Sequence, residues 1–90
     1  MCTYQTEMLS LSGSAKGAGG DWLRVTDASV YFDHPVHAIA EHTLNVDLRA
    51  PAGGPGARVA LELPAADARR LAEAILRALD TAPASLTGVA

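Results

Sequence analysis

Apolar and polar positions alternate through four stretches of this 90-residue chain, and the period then lengthens to that of a helix. The first stretch, residues 3–11, is β-capable but alternates imperfectly. The second, residues 21–33, holds Trp22, Val25, Val30, Tyr31 and Phe32, which suit a pleated strand. Leu23 and Val25 share one of its faces, and Ala28, Val30 and Phe32 share the other. A β-bulge near Asp27 would reconcile the two halves. The alternative is burial of both faces in the second half, one by a helix and one by a partner. The third stretch, residues 42–49, alternates cleanly: Leu44, Val46 and Leu48, with His42 at their parity, oppose Thr43, Asn45, Asp47 and Arg49. The fourth, residues 58–63, turns Val59, Leu61 and Leu63 inward and Arg58, Ala60 and Glu62 outward.

The helical period covers residues 65–80. Ala68, Leu71, Ala72, Ile75, Ala78 and Leu79 form an apolar stripe, and Arg69, Arg70, Glu73, Arg77 and Asp80 lie opposite it. Pro64 suits a helix start, Asp67 in the first turn complements the helix dipole, and Pro83 marks the stop. Residues 13–20, rich in glycine, read as a flexible loop, and residues 51–56 as a Pro/Gly turn. The fold expected is α+β: a four-stranded antiparallel sheet with one C-terminal helix on one face, in a single domain of residues 1–83. Residues 84–90 are expected to fray. One helix covers one sheet face. Trp22, Tyr31 and Tyr4 are expected on the other, where aromatics would make an association surface. The expectation is a homodimer, or a larger symmetric oligomer, joined sheet to sheet or edge to edge.

Size sharpens that expectation. A chain this short buries only about 60–65% of its unfolded surface and needs a staple. Cys2 is the only cysteine, so no disulfide framework supplies one; a metal or a second subunit would. A formal net charge of −3 with no basic stripe excludes the electrostatic footprint of a nucleic-acid site. The first seven residues have neither a positive n-region nor an apolar h-region, and no run is long enough to span a bilayer. The expected address is the cytoplasm, with no membrane partner.

Chemistry concentrates in Asp33-His34-Pro35-Val36-His37-Ala38-Ile39-Ala40-Glu41-His42, which holds all 3 histidines of the chain. Imidazole is the commonest metal ligand and the usual acid/base group near neutral pH. In a straight strand His34 and His37 point to opposite faces, so convergence requires a bend, for which Pro35 gives a reason. Two ligand sets follow. His34, His37 and His42 would form a three-histidine site with an open position. If residues 35–41 form a helical turn, His37 and Glu41 would instead share a face with His34 one turn back, a set suited to zinc or iron. Asp33 is a further ligand or an orienting group, and Glu41 or Asp33 a candidate general base. The spacing His-x2-His-x4-His is no specific signature. The bland reading has His42 as a buried strand residue and His34 and His37 as solvated loop residues.

The remaining candidates are weaker. The loop around Lys16 lacks the order of a Walker motif, and a strand rather than a helix follows it. Cys2 would serve as ligand or nucleophile, or merely as a small residue opening a strand.

The run from Val30 to Asn45 resembles that of a family of short, uncharacterised actinobacterial proteins. The opening Met1-Cys-Thr-Tyr-Gln-Thr-Glu7, the loop from Gly13 to Gly20, and Gly54-Pro55-Gly56 with Arg58-Val-Ala-Leu-Glu62 are similar too. The resemblance implies a small stand-alone bacterial protein and no particular reaction, substrate or cofactor. Three functions follow from the residues. The first is an enzyme or accessory protein using a divalent metal (zinc, iron or copper) on a small molecule. The second is a non-catalytic dimeric module that binds a partner or small ligand. The third is metal-free acid/base catalysis by a His–Asp or His–Glu pair. No organic cofactor is implied.

Overall fold

A computed structural model describes residues 5–88. Four strands, β1 (Thr6–Lys16), β2 (Trp22–Asp33), β3 (Thr43–Arg49) and β4 (Arg58–Leu63), form one antiparallel sheet in the order β1-β2-β3-β4. Helix α1 (Ala65–Thr81) follows, as the α+β reading expects. A single 3-10 turn, Pro51–Gly53, joins β3 to β4 and packs against β2. One further helical turn, α2 (Ala84–Thr87), opens the C-terminal segment. Tyr4 and Cys2 lie outside the described residues.

β1 runs further than its side chains suggest. It continues through Gly13 to Lys16, into the expected loop, because Trp22 to Val25 need a ladder partner and backbone pairing needs no side chain. The loop shrinks to a turn over residues 17–21, closed by Gly20 N–H donating to the Gly17 carbonyl at 3.0 Å, with Gly20 at φ +89. The ammonium of Lys16 lies 5.9 Å from the centre of the Trp22 ring, its cross-strand partner. Lys16 is thus part of a hairpin.

The irregularity expected near Asp27 is present, with the extra residue on the other strand. Ser10 pairs with Asp27 and Gly13 with Val25, so Leu11 and Ser12 together oppose Thr26. β2 itself is continuous.

Registers sort the sheet into two faces. Phe32–Leu44–Leu63, Val30–Val46–Leu61 and Ala28–Leu48–Val59 form three apolar cross-strand rows on the side of α1. Tyr31–Asn45–Glu62 and Ser29–Asp47–Ala60 form rows on the opposite side. Among the described residues the buried ones are Val25, Ala28 and Ala50 together with the polar Ser29, Thr43 and Asn45. Ser29 donates its hydroxyl to the sulfur of Met8, its partner on β1. No described residue of α1 is buried, and only Asp67 and Ala68 on it are half-buried. The helix sits over the expected face of the sheet but covers it loosely, and Arg69 and Glu73, expected opposite the apolar stripe, border the space between helix and sheet with Ala68, Ala72 and Leu76.

Candidate functional site

The bend between β2 and β3 folds over the end of the sheet. Asp33 accepts the His34 backbone N–H at 2.7 Å, and the Nδ1 atom of His34 lies 2.8 Å from the Glu41 carbonyl. A carbonyl only accepts, so Nδ1 of His34 carries the hydrogen and closes the base of the bend. Residues 36–41 are bends and not the helical turn that one ligand set required, and Ala40 N–H reaches back only to the Ala38 carbonyl, at 3.1 Å. His37 and Glu41 therefore do not share a helix face.

The physical reason is Glu62. Its carboxylate, on β4, accepts the successive backbone N–H groups of Val36, His37 (3.0 Å) and Ala38 (2.8 Å). Three converging amides form a nest for an anion, here filled by a side chain of the same protein. The N–H bonds from Val36 and Ala38 outweigh the opposing effect of burial, and that from His37 adds less, so the Glu62 carboxyl is held below the ordinary glutamate range. Strand parity marks Glu62 only as outward-facing. Its partners lie about 25 residues away in sequence, so no local signal exposes the clamp.

The clamp divides the histidines. Phe32, His42 and His34 stack in sequence: the Phe32 and His42 rings are 5.7 Å apart and nearly parallel, and the His42 and His34 rings 4.4 Å apart. Phe32 belongs to the α1 side of the sheet, and the Nε2 atom of His42 is buried. His37 lines a pocket on the other side, with Tyr31, Asn45, Asp47, Arg58 and Glu62. The bend thus brings His34 and His42 together and sends His37 elsewhere. Among the described residues, no group of three or more His, Cys, Asp or Glu side chains is placed to hold a metal ion. Asp33 and Glu41 serve the bend, one through its carboxylate and the other through its backbone carbonyl.

The pocket has a volume of about 550 Å³. Asp47 organises its floor: one oxygen accepts from the Tyr31 hydroxyl at 3.2 Å, and the other pairs with the Arg58 guanidinium. Burial, then the charge and hydrogen bond of Asp47, push the Tyr31 phenol above its usual range, so it stays protonated. Thr43 donates to the Asn45 side-chain oxygen at 2.6 Å under the bend. Both carboxylates of the pocket, Asp47 and Glu62, have internal partners on both oxygens. Among the lining side chains, Arg58 keeps further N–H groups and can only donate, while the His37 imidazole can donate at one nitrogen and accept at the other when neutral.

No helix among the described residues is long and apolar enough to cross a membrane. No curated protein and no solved structure matches the chain. A family model does match, over residues 1–88: the chain belongs to DUF6295, a family of unknown function.

Proposed function

We propose that the protein is a non-catalytic binding module for a small, acceptor-rich molecule, held in the pocket under the histidine bend. The observation that carries this reading is the Glu62 clamp. It fixes one wall of a mainly apolar cavity whose two carboxylates already have internal partners, so the Arg58 guanidinium is the charged donor left to orient a ligand there. Arg58 and His37 are the groups that would meet a ligand carbonyl, amide or single carboxylate. The charges of Asp47 and Glu62 nearby disfavour multiply charged anions. In this reading His34 and His42 shape the bend, and no resident metal is needed.

Amide chemical shifts recorded against a panel of small carboxylates, amides and amines test it. The expected result is perturbation centred on Tyr31, His37, Asn45 and Arg58 by acceptor-bearing compounds, lost in Arg58→Ala. Perturbation confined to α1, or preference for the amines, would overturn it. Elemental analysis of untagged protein decides against the competing metal reading if it finds less than about 0.1 zinc, iron or copper per chain after loading. Stoichiometric metal lost in His34→Ala would restore it.

A further inference from the structure

The α1 side of the sheet is built to be covered and is left open. Its three apolar rows call for an apolar lid, and α1 brings an apolar stripe, yet Leu71, Ile75, Leu76 and Leu79 remain 45%, 52%, 60% and 55% exposed. Between helix and sheet lies a wedge of about 540 Å³, lined by Val30, Phe32 and Leu44 from the sheet and Ala68, Ala72 and Leu76 from the helix. Size confirms the impression of an unfinished surface. A compact 9.3 kDa monomer exposes about 5,000 Å². This chain exposes 6804 Å². Its radius of gyration is 14.6 Å, against about 12 Å for a compact chain of its length. The surplus of roughly 1,800 Å² is shared among the hairpin end, the bend and the α1 side, and it leaves room for the roughly 800 Å² that each partner buries in a standard specific interface.

We infer that a second copy of this chain docks on the α1 side, each helix filling the wedge of the other across a two-fold axis. The patch is self-complementary, which a two-fold interface requires: stripe and wedge lie side by side on one surface. Its rim is self-complementary too. Arg69 and Glu73 both border the wedge, so a two-fold axis crossing the helix between them would set Arg69 against Glu73 of the partner subunit. Trp22, though exposed, lies at the far end of β2 from this patch, and Tyr31 lies in the pocket on the other side. Of the three aromatics that suggested sheet-to-sheet pairing, neither Trp22 nor Tyr31 belongs to the interface, and Tyr4 lies outside the described residues. The ligand pocket is on the opposite face, so either assignment stands without the other.

Sedimentation equilibrium of the whole chain at about 50 µM is the test, a concentration at which a specific dimer is populated. The expected mass is twice 9.3 kDa. The double variant Leu76→Glu/Leu79→Glu is expected to weaken association on the order of 100-fold with an unchanged far-UV spectrum. A wild-type monomer overturns the inference, as does a dimer that the folded double variant leaves intact. If the double variant fails to fold, amide exchange of the wild type decides. Protection of α1 that rises with protein concentration supports the docking, and protection independent of concentration overturns it.

Discussion

One face of the sheet is polar and covered; the other is apolar and open. Thr43 and Asn45 lie deeper than Leu44, Val46 or Leu48, their alternating neighbours on the same strand. The bend roofs the polar face over Thr43 and Asn45 and leaves the pocket beside them, and the groups of that face satisfy one another: Thr43 with Asn45, Tyr31 and Arg58 with Asp47, and Glu62 with three backbone amides. The apolar face has only a helix tethered directly after β4, held close at its first turn and loose beyond. Alternation decides which residues share a face. What lies over that face depends on where the connections travel, and here the long connection crosses the polar side.

The sharpest way to break this comparison is to pit a polar deletion against an apolar one. Thr43→Val keeps the shape but removes the donor to the Asn45 oxygen in a sealed site, and should cost about 1–3 kcal/mol in urea unfolding. Leu76→Ala, measured in dilute protein, should cost less than about 1 kcal/mol, because the side chain is mostly solvated already. If the leucine proves the costlier at every concentration, the ranking of the two faces is wrong. Next in size is Glu62→Gln, expected to speed amide exchange at Val36, His37 and Ala38 by about tenfold or more, with Ala40 as an internal reference. Unchanged exchange would mean that the bend holds itself without the clamp. Arg58→Ala should cost about 1 kcal/mol, since the guanidinium is half exposed and Asp47, though largely buried, keeps the Tyr31 hydroxyl, while removing ligand binding. A larger loss of stability would make Arg58 structural.

The smallest effects are those of pH, and they have opposite signs. Glu62 has a folded pKa below its unfolded value, so its contribution is complete above about pH 4.5 and fades as pH falls through the lower folded value. Tyr31 has a folded pKa above its unfolded value, so its contribution is complete below about pH 10 and fades as pH rises through the higher one. Denaturation midpoints against pH should therefore lose their acid limb partly in Glu62→Gln and their alkaline limb partly in Tyr31→Phe. A wild-type limb retained in full by either variant would remove that residue from the account.

Much of the architecture was legible because it is local. The period-2 pattern of residues 42–49 and 58–63 and the helical period of residues 65–80 each describe one element, and each element lies within a residue of where its pattern puts it. The extension of β1 was illegible because Gly13 to Lys16 carry almost no side-chain signal and pair through the backbone alone. Within the site, Pro35 announced a bend, and the bend exists. That His34 and His42 stack while His37 goes to the other side depends on Glu62, whose hold on the bend spans β3 and a turn. An outward glutamate on a strand looks the same in sequence whether it meets water or three amides.

The paired residues Leu11 and Ser12 opposite Thr26 bear on a different hazard. β1 is an outer strand of 11 residues, long enough to recruit a further strand from any chain that meets it. The extra residue breaks its ladder in the middle and increases the local twist, so neither half offers a straight run of hydrogen-bonding groups. The bulge therefore guards the protein against growing into sheets without end from this edge.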